Sequence, residues 1–342
     1  MKVVPNLIKC SVLIFALLLA GCQDQPEQQI FPVFQIAFAS QTNGQAADIF
    51  LIDSDGENLL SVTTDPARDE QPQWSPDGQR LLFISNRDGH RQLFLYDLVT
   101  DSLSQLTHGN RHCTEPAWSP DGNQITYQSD SLGLGDIFIL DLPTEKSTQL
   151  TDDPAADISP AWSPDGNRIA FVSHRDGNAE IYVMDSDGNN QTRLTDNPRV
   201  DLEPTWSPDG EKIAFTSHRK SSDEHVYILD VAARTSIQLA TPNSDEYNPV
   251  WSVDGTKLYY FNILRGDIYW AAADGNSAPE LIFDFAKALD LSLSPDGQVL
   301  VFAAGIGDSP SAVYTFYLES GKFRRVTDTP GPDRTPAVRP AF

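Results

Sequence analysis

The sequence predicts an all-β fold, a seven-bladed β-propeller of four-stranded antiparallel blades, and three observations predict it. The string Trp-Ser-Pro-Asp-Gly begins at Trp74, Trp118, Trp162 and Trp206, continues as Trp251-Ser-Val-Asp-Gly and finishes as Leu293-Ser-Pro-Asp-Gly. The intervals are 44, 44, 44, 45 and 42 residues, the period of a propeller blade. Each interval holds four short segments rich in aromatic and β-branched residues, bounded by Gly, Pro, Asp or Asn. The two ends of the chain, finally, hold complementary parts of one unit.

The N-terminal segment reads as an address. Lys2 and Lys9 make a short basic region, and Ser11 to Ala20 (SVLIFALLLA) is an apolar run too short to span a membrane comfortably as a mature helix. It stops at Leu19-Ala20-Gly21-Cys22, followed at once by Gln23-Asp24-Gln25. That string resembles the bacterial lipobox, in which small residues admit the signal peptidase and the Cys thiol accepts the acyl chain. Residues 1–21 are therefore expected to be a lipoprotein signal peptide, with Cys22 the lipidation site. The resemblance also implies, through Gln23, an outer-membrane address facing the periplasm. Residues 22–33, polar and with two prolines, are expected to be a lipidated tether, and 34–342 the propeller.

Within a unit the segments follow a fixed order. Pro-Asp-Gly supplies a turn after the Trp segment: Pro presets φ, Asp caps locally and Gly accepts positive φ. Seven residues after the Trp comes a second segment, such as Ile169-Ala-Phe-Val-Ser. A loop follows (Arg87-Asp88-Gly89, Arg175-Asp176-Gly177), then a third segment such as Ile181-Tyr-Val-Met-Asp. A last short segment ends in Leu-Thr, as at Leu106-Thr107, Leu150-Thr151 and Leu194-Thr195. Nothing in the mature chain shows sustained helical periodicity.

The ends set the number of blades. The first unit has Ile36–Ser40, Ile49–Asp53 and Val62-Thr63 but lacks the Trp segment, whereas Thr335–Pro340 aligns with Glu115–Pro120 and has no unit of its own. Joining the two closes the ring and leaves no open sheet edge. Six blades and a loose end would leave Val338 without a place.

Composition bounds the partners. The 342 residues carry 48 acidic and 24 basic side chains, a net charge of −24, and loss of Lys2 and Lys9 takes the mature chain to −26. Such a surface repels phosphate backbones and anionic lipid. Nucleic acid is thereby excluded, and membrane contact is expected through the lipid anchor alone; cations or basic protein surfaces fit better. Of the three cysteines, Cys10 leaves with the signal and Cys22 is acylated, so Cys113 has no disulfide partner. A monomeric propeller is expected.

Several candidate chemistries fail on their residues. The Trp column is filled by Leu293 and Val338 in two units, which suits packing between blades rather than a binding ring. Asp53-Ser-Asp55-Gly56 and Asp185-Ser-Asp187-Gly188 resemble calcium loops, but Gly at position six and Glu at twelve are missing, and a hairpin turn explains both. The six histidines are His90, His108, His112, His174, His218 and His225. Only His112 is in a segment expected to approach the channel, short of the three or four convergent ligands of a zinc site. Gly-x-Ser-x-Gly is absent, and no hydrolase domain follows the repeats.

One constellation remains. Five residues before each Trp position stand Asp69, Cys113, Asp157, Asp201, Glu246, Ala288 and Asp333; three before it stand Gln71, Glu115, Ser159, Glu203, Asn248, Asp290 and Thr335. Both rows lead into the innermost strands and are expected to crowd the mouth of the central channel. Asp69, Glu115, Asp157, Asp201, Glu203, Glu246, Asp290 and Asp333 are then candidates for binding a cation or a basic peptide. A second reading stays open: Asp at this spacing caps a turn or bonds the neighbouring blade's backbone.

The pattern PxWSPDG…IAFxSxRDGxxEIYVMDxDG…RLT resembles the repeats of the TolB-type propeller family, over roughly residues 34–342. Similar repeats occur in oligogalacturonate lyases and prolyl-oligopeptidase-type peptidases. The resemblance implies a propeller in the bacterial cell envelope, here without the N-terminal α/β domain of TolB. The expected function is a non-enzymatic scaffold for an envelope protein partner. No cofactor is expected, a channel-bound Ca2+ or other cation being the open option. The alternative is an envelope glycan-binding protein, or a metal-dependent enzyme similar to oligogalacturonate lyase, whose family uses a His-rich site in the propeller centre.

Overall fold

The computed structural model describes residues 32–41, 46–130, 134–219, 224–239, 245–262, 265–283, 288–305 and 309–341. The expected signal peptide, Cys22 and residues 23–31 of the tether lie outside the described residues.

Each repeat forms one four-stranded antiparallel sheet, and seven such sheets are present, as the repeats predicted. Blade 1 pairs Asp333–Val338 from the chain's end with Gln35–Ser40, Asp48–Asp53 and Leu60–Ser61. The innermost strands of blades 2 to 7 are Asp69–Trp74, Cys113–Trp118, Asp157–Trp162, Asp201–Trp206, Glu246–Trp251 and Ala288–Leu293. Ring closure rests on register: Ile36 faces Val338 and Ser40 faces Asp333, so the last strand does what a Trp strand does elsewhere.

The repeat residues have separable jobs. In the Ser-Pro-Asp-Gly turn of blade 2, Gly78 donates to the Ser75 carbonyl at 2.8 Å, and the Ser75 hydroxyl donates to Asp77 at 2.5 Å and accepts from Arg80 N–H at 2.9 Å. That turn needs positive φ at its fourth residue, and Gly78 sits at 60°. The strings once compared with calcium loops are such hairpins, with Gly56 donating to Asp53 and Gly188 to Asp185.

A Leu-Thr or Val-Thr pair ends the outer strand of five blades on its neighbour. Thr63, Thr107, Thr151, Thr195 and Thr327 accept, through their hydroxyls, the backbone N–H of Ile49, Leu93, Ile137, Ile181 and Val313. The second strands supply the core. Phe38, Phe83, Phe171, Phe215 and Phe302 are fully buried, each worth about 1.5–3 kcal/mol of transfer free energy. Four of them stack on the third strand's ring, as Phe38 does on Phe50 at 5.7 Å; Phe171 tilts against Tyr182.

Candidate functional site: the central channel

The innermost strands are each interrupted by a bulge. In blade 2, Glu70 faces Ile84 and Gln73 faces Leu82, so Gln71 and Pro72 oppose the single residue Phe83. Every blade repeats this interruption. The first bulge residue is left-handed throughout: Gln71 at φ 55°, Glu115 at 49°, Ser159, Glu203 and Asn248 at 54°, Asp290 at 52° and Thr335 at 48°. Six of the seven precede a proline, and Leu291 follows in blade 7. Proline lacks an N–H to pair, which suits the edge strand lining the hole. The bulge bends the strand and re-aims the side chain ahead of the proline.

These seven bulges surround a cavity of about 640 Å3, and all seven left-handed residues line it. Around the ring Glu115, Glu203 and Asp290 alternate with Ser159, Asn248 and Thr335, so no two carboxylates are adjacent. Each carboxylate reaches to the next blade. Glu115 accepts Ser159 N–H at 2.7 Å and its hydroxyl at 3.0 Å, and Asp290 accepts Thr335 N–H at 3.1 Å. Glu203 likewise accepts a backbone hydrogen bond from Asn248.

Glu203 touches water in the lumen yet is ringed by protein. Loss of hydration first, then repulsion from Glu224 and Glu115, together raise its carboxyl to about 7 against the opposing Asn248 hydrogen bond. A group so placed is half-charged near neutrality and gains most from a cation entering the channel. Glu224 itself accepts from or donates to His218 Nε2 at 2.7 Å, according to the protonation of the pair.

The eight candidate carboxylates therefore divide. Glu115, Glu203 and Asp290 line the channel. Asp69, Asp157, Asp201, Glu246 and Asp333 do not: all five are fully buried within the blades, which corrects the expectation that they crowd the mouth. The physical reason is the strand's period of two combined with the bulge. The residue two before the bulge points into the blade; an unbroken period of two would put the bulge residue on that same face, but the bulge breaks the alternation and turns its first residue into the lumen.

The buried acids have internal partners. Asp69 pairs with Arg87 at 3.0 Å, Asp157 with Arg175 at 2.9 Å and Asp201 with Arg219 at 2.5 Å. Each Arg also donates to the serine that ends the second strand, Ser85, Ser173 or Ser217, at 2.9, 2.7 and 3.1 Å. Each lies over a core ring as well: Phe94 at 4.4 Å, Tyr182 at 4.8 Å and Tyr227 at 4.6 Å. Glu246 accepts Val226 N–H at 3.0 Å, and Asp333 accepts from Thr327 and Thr329. Burial raises Asp69, Asp201 and Asp333, and hydrogen bonds from Ser85 and Thr63, from Ser217, and from Ser40 and Thr327 offset only part of the rise.

A signal for this split stands in the sequence. Asp five before the Trp co-occurs with Ser-x-Arg at the end of the second strand in the same three units: Asp69 with Ser85 and Arg87, Asp157 with Ser173 and Arg175, Asp201 with Ser217 and Arg219. Cys113 and Ala288 stand in units that lack that Arg. The neutral lining residues Gln71, Ser159, Asn248 and Thr335 were legible only as positions in the same row.

The tryptophans pack between blades, as their column predicted. Trp74 donates to Ala337 O at 3.1 Å, Trp206 to Ala161 O at 3.0 Å and Trp251 to Thr205 O at 3.2 Å, in each case on the preceding blade. All six histidines lie at the end of the blades where the innermost strands begin, the upper face, and none lines the channel. His112, expected near the channel, is held instead at the rim by Arg91 N–H, which donates to its Nδ1 at 3.0 Å. Among the described residues no three His, Cys, Asp or Glu side chains converge as a metal cage.

The family model of the TolB beta propeller domain matches residues 32–133 and 103–337. The chain belongs to that family. Among curated relatives, the Tol-Pal system protein TolB of Actinobacillus succinogenes is 36% identical over 64 residues, 19% of this chain and 15% of that protein. The crystal structure of TolB from Acinetobacter baumannii superposes with a TM-score of 0.61 at 23% identity, over 90% of this chain and 67% of that one. An oligogalacturonate lyase solved with manganese gives 0.67 at 18% identity, over 86% of this chain and 85% of that one. At these identities the structural likeness is one of fold. The chain thus spans a small part of the curated TolB relative it matches, and what it shares with both solved structures is the TolB-type propeller frame.

Proposed function

We propose that this chain is a non-enzymatic scaffold of the bacterial cell envelope, anchored through Cys22 and docking a protein partner whose basic element enters the channel. The observation that carries it is the ring of Glu115, Glu203 and Asp290, three carboxylates spaced by neutral groups around one cavity. Each carboxylate oxygen not engaged by the next blade's N–H remains for a ligand. Three dispersed charges without a metal cage suit an ammonium or guanidinium group, or a loosely held cation, in a focused negative field. The lipobox-like string ending at Cys22 and membership of the TolB propeller family support the envelope setting.

An enzyme similar to oligogalacturonate lyase would need ligands converging on the channel. The placement of all six histidines outside the lining speaks for the scaffold instead. The test is retention of envelope proteins on the immobilised chain, repeated with Glu115→Gln, Glu203→Gln and Asp290→Asn combined. A partner held at low salt, released at high salt and lost in the triple variant is expected. Retention indifferent to both salt and the triple variant would remove the channel from the function.

A further inference from the structure

One patch runs against the acidic character of the whole. On the upper face, the loops 87–91 and 108–112 of adjoining blades bring together His90, Arg91, His108, Arg111 and His112, three of the six histidines in a chain of net charge −24. The two loops are joined. Cys113 N–H donates to the Arg91 carbonyl at 2.8 Å, Arg91 N–H donates to His112 Nδ1 at 3.0 Å, and the Gln92 amide donates to the Arg111 carbonyl at 2.7 Å. The His90 and His112 rings lie 5.4 Å apart.

The fold does not call for these side chains. The backbone bond made by the Arg91 carbonyl is made by Ala47, Ala179, Glu224 and Ser311 in other blades. That of the His112 carbonyl is made by Arg68, Ala156 and Val200. Arg199 holds the place of Arg111 in blade 5, but the neighbouring loop there offers Asn178 and Ala179 rather than His90 and Arg91.

The chemistry presented is that of an anion cradle. Because His112 Nδ1 accepts a hydrogen bond, its Nε2 carries the ring proton on an exposed ring. Arg111 is exposed and makes no ion pair within 4 Å among the described residues, although its charge also acts on the Asp136 carboxyl. Arg91 is half-exposed and only loosely held, 3.4 Å from Glu70, which adjoins the channel residue Gln71.

We infer that this patch docks a short acidic segment of a protein partner, its carboxylates accepting from Arg111, Arg91 and His112. The inference goes beyond the channel reading, whose ligand is basic. Charge selects the class of partner. Glu70, Asp88 and Asp130 intersperse the patch, and the chain as a whole is strongly negative, so an extended polyanion or an anionic membrane meets repulsion on every side. A segment that brings one or two carboxylates does not.

The test is fluorescence anisotropy of a labelled short peptide carrying two glutamates in an otherwise uncharged sequence, on the full-length chain in detergent, with a lysine-rich peptide in parallel. Saturable binding of the acidic peptide is expected, weakened about tenfold by Arg111→Glu and also by Arg91→Ala with His112→Ala. Arg199→Glu, in the matching loop of blade 5, should leave it unchanged. Absence of binding, indifference to Arg111→Glu, or equal loss in Arg199→Glu overturns the inference. So does equal binding of polygalacturonate or phosphatidylglycerol vesicles through the same arginines. Because Arg111 is exposed, its variant folds whether or not the double variant does. Failure of the lysine-rich peptide to bind would count against the channel reading alone.

Discussion

Glu115 and Ser159 are joined across two blades by a single carboxylate oxygen, which accepts both the Ser159 backbone N–H at 2.7 Å and the Ser159 hydroxyl at 3.0 Å. The contact lies on the channel wall, so the same side chain braces the ring and charges the lumen. Glu115→Gln keeps an acceptor and removes the charge, whereas Glu115→Ala removes both. Urea unfolding should show Gln near wild type and Ala less stable by about 1–2 kcal/mol. A lysine-rich peptide should bind more weakly to both. Equal stability of the two variants would show that the bridge contributes nothing.

Glu203 ties stability to pH. Its carboxyl rises from 4.5 to about 7 in the folded chain, so the folded state is penalised when the group ionises. That stability is fully present below pH 4.5 and is lost as pH rises towards 7. Glu203→Gln should match wild type in acid and exceed it above neutrality, in melting curves recorded from pH 4 to 8. A difference that stays constant with pH would contradict the placement of the charge.

Asp157 is buried and its partner is Arg175 at 2.9 Å. Removing one member of a buried ion pair strands the other, at a cost of about 3–5 kcal/mol. Arg175→Ala should therefore lower the denaturant midpoint sharply, and Asp157→Asn should do the same more mildly. Neither should alter peptide binding by the folded fraction. Loss of binding with full stability would return Asp157 to the site.

The tryptophan column makes an internal comparison possible. Trp206 Nε1 donates to Ala161 O at 3.0 Å, while Trp162 Nε1 is buried with no hydrogen-bond partner among the described residues. Replacement by Phe removes a bond from one and an unmet donor from the other. Trp206→Phe should cost about 1 kcal/mol more than Trp162→Phe by chemical denaturation. A reversed order would place the energetic weight of these rings in packing alone.

Much of this was legible in the residues. The repeat period gave the blades, the mismatch between Val62-Thr63 and Thr335–Pro340 gave the closure, and Ser-Pro-Asp-Gly gave the inner hairpins. The site was legible as two rows of polar residues but not as one row against the other. Telling Glu203 from Asp201 requires the bulge, which depends on where Glu203-Pro204 falls against Phe215 in the neighbouring strand. The basic patch was likewise visible only as two short strings, RDGHR and HGNRH, separated by two strands.

Local pattern and chain-long periodicity, then, determined the fold class, the number of blades and the acidic balance, because strand period, turn chemistry and repeat length act over a few neighbouring residues. Only the tertiary structure decided which carboxylates meet water and which meet arginine. That choice is made by pairing between strands and by contacts between blades, as when Glu115 reaches Ser159 or Arg91 reaches His112. Such contacts join residues distant in the chain, and burial then gives side chains of one type opposite roles: Asp157 holds a blade together, and Asp290 faces the channel.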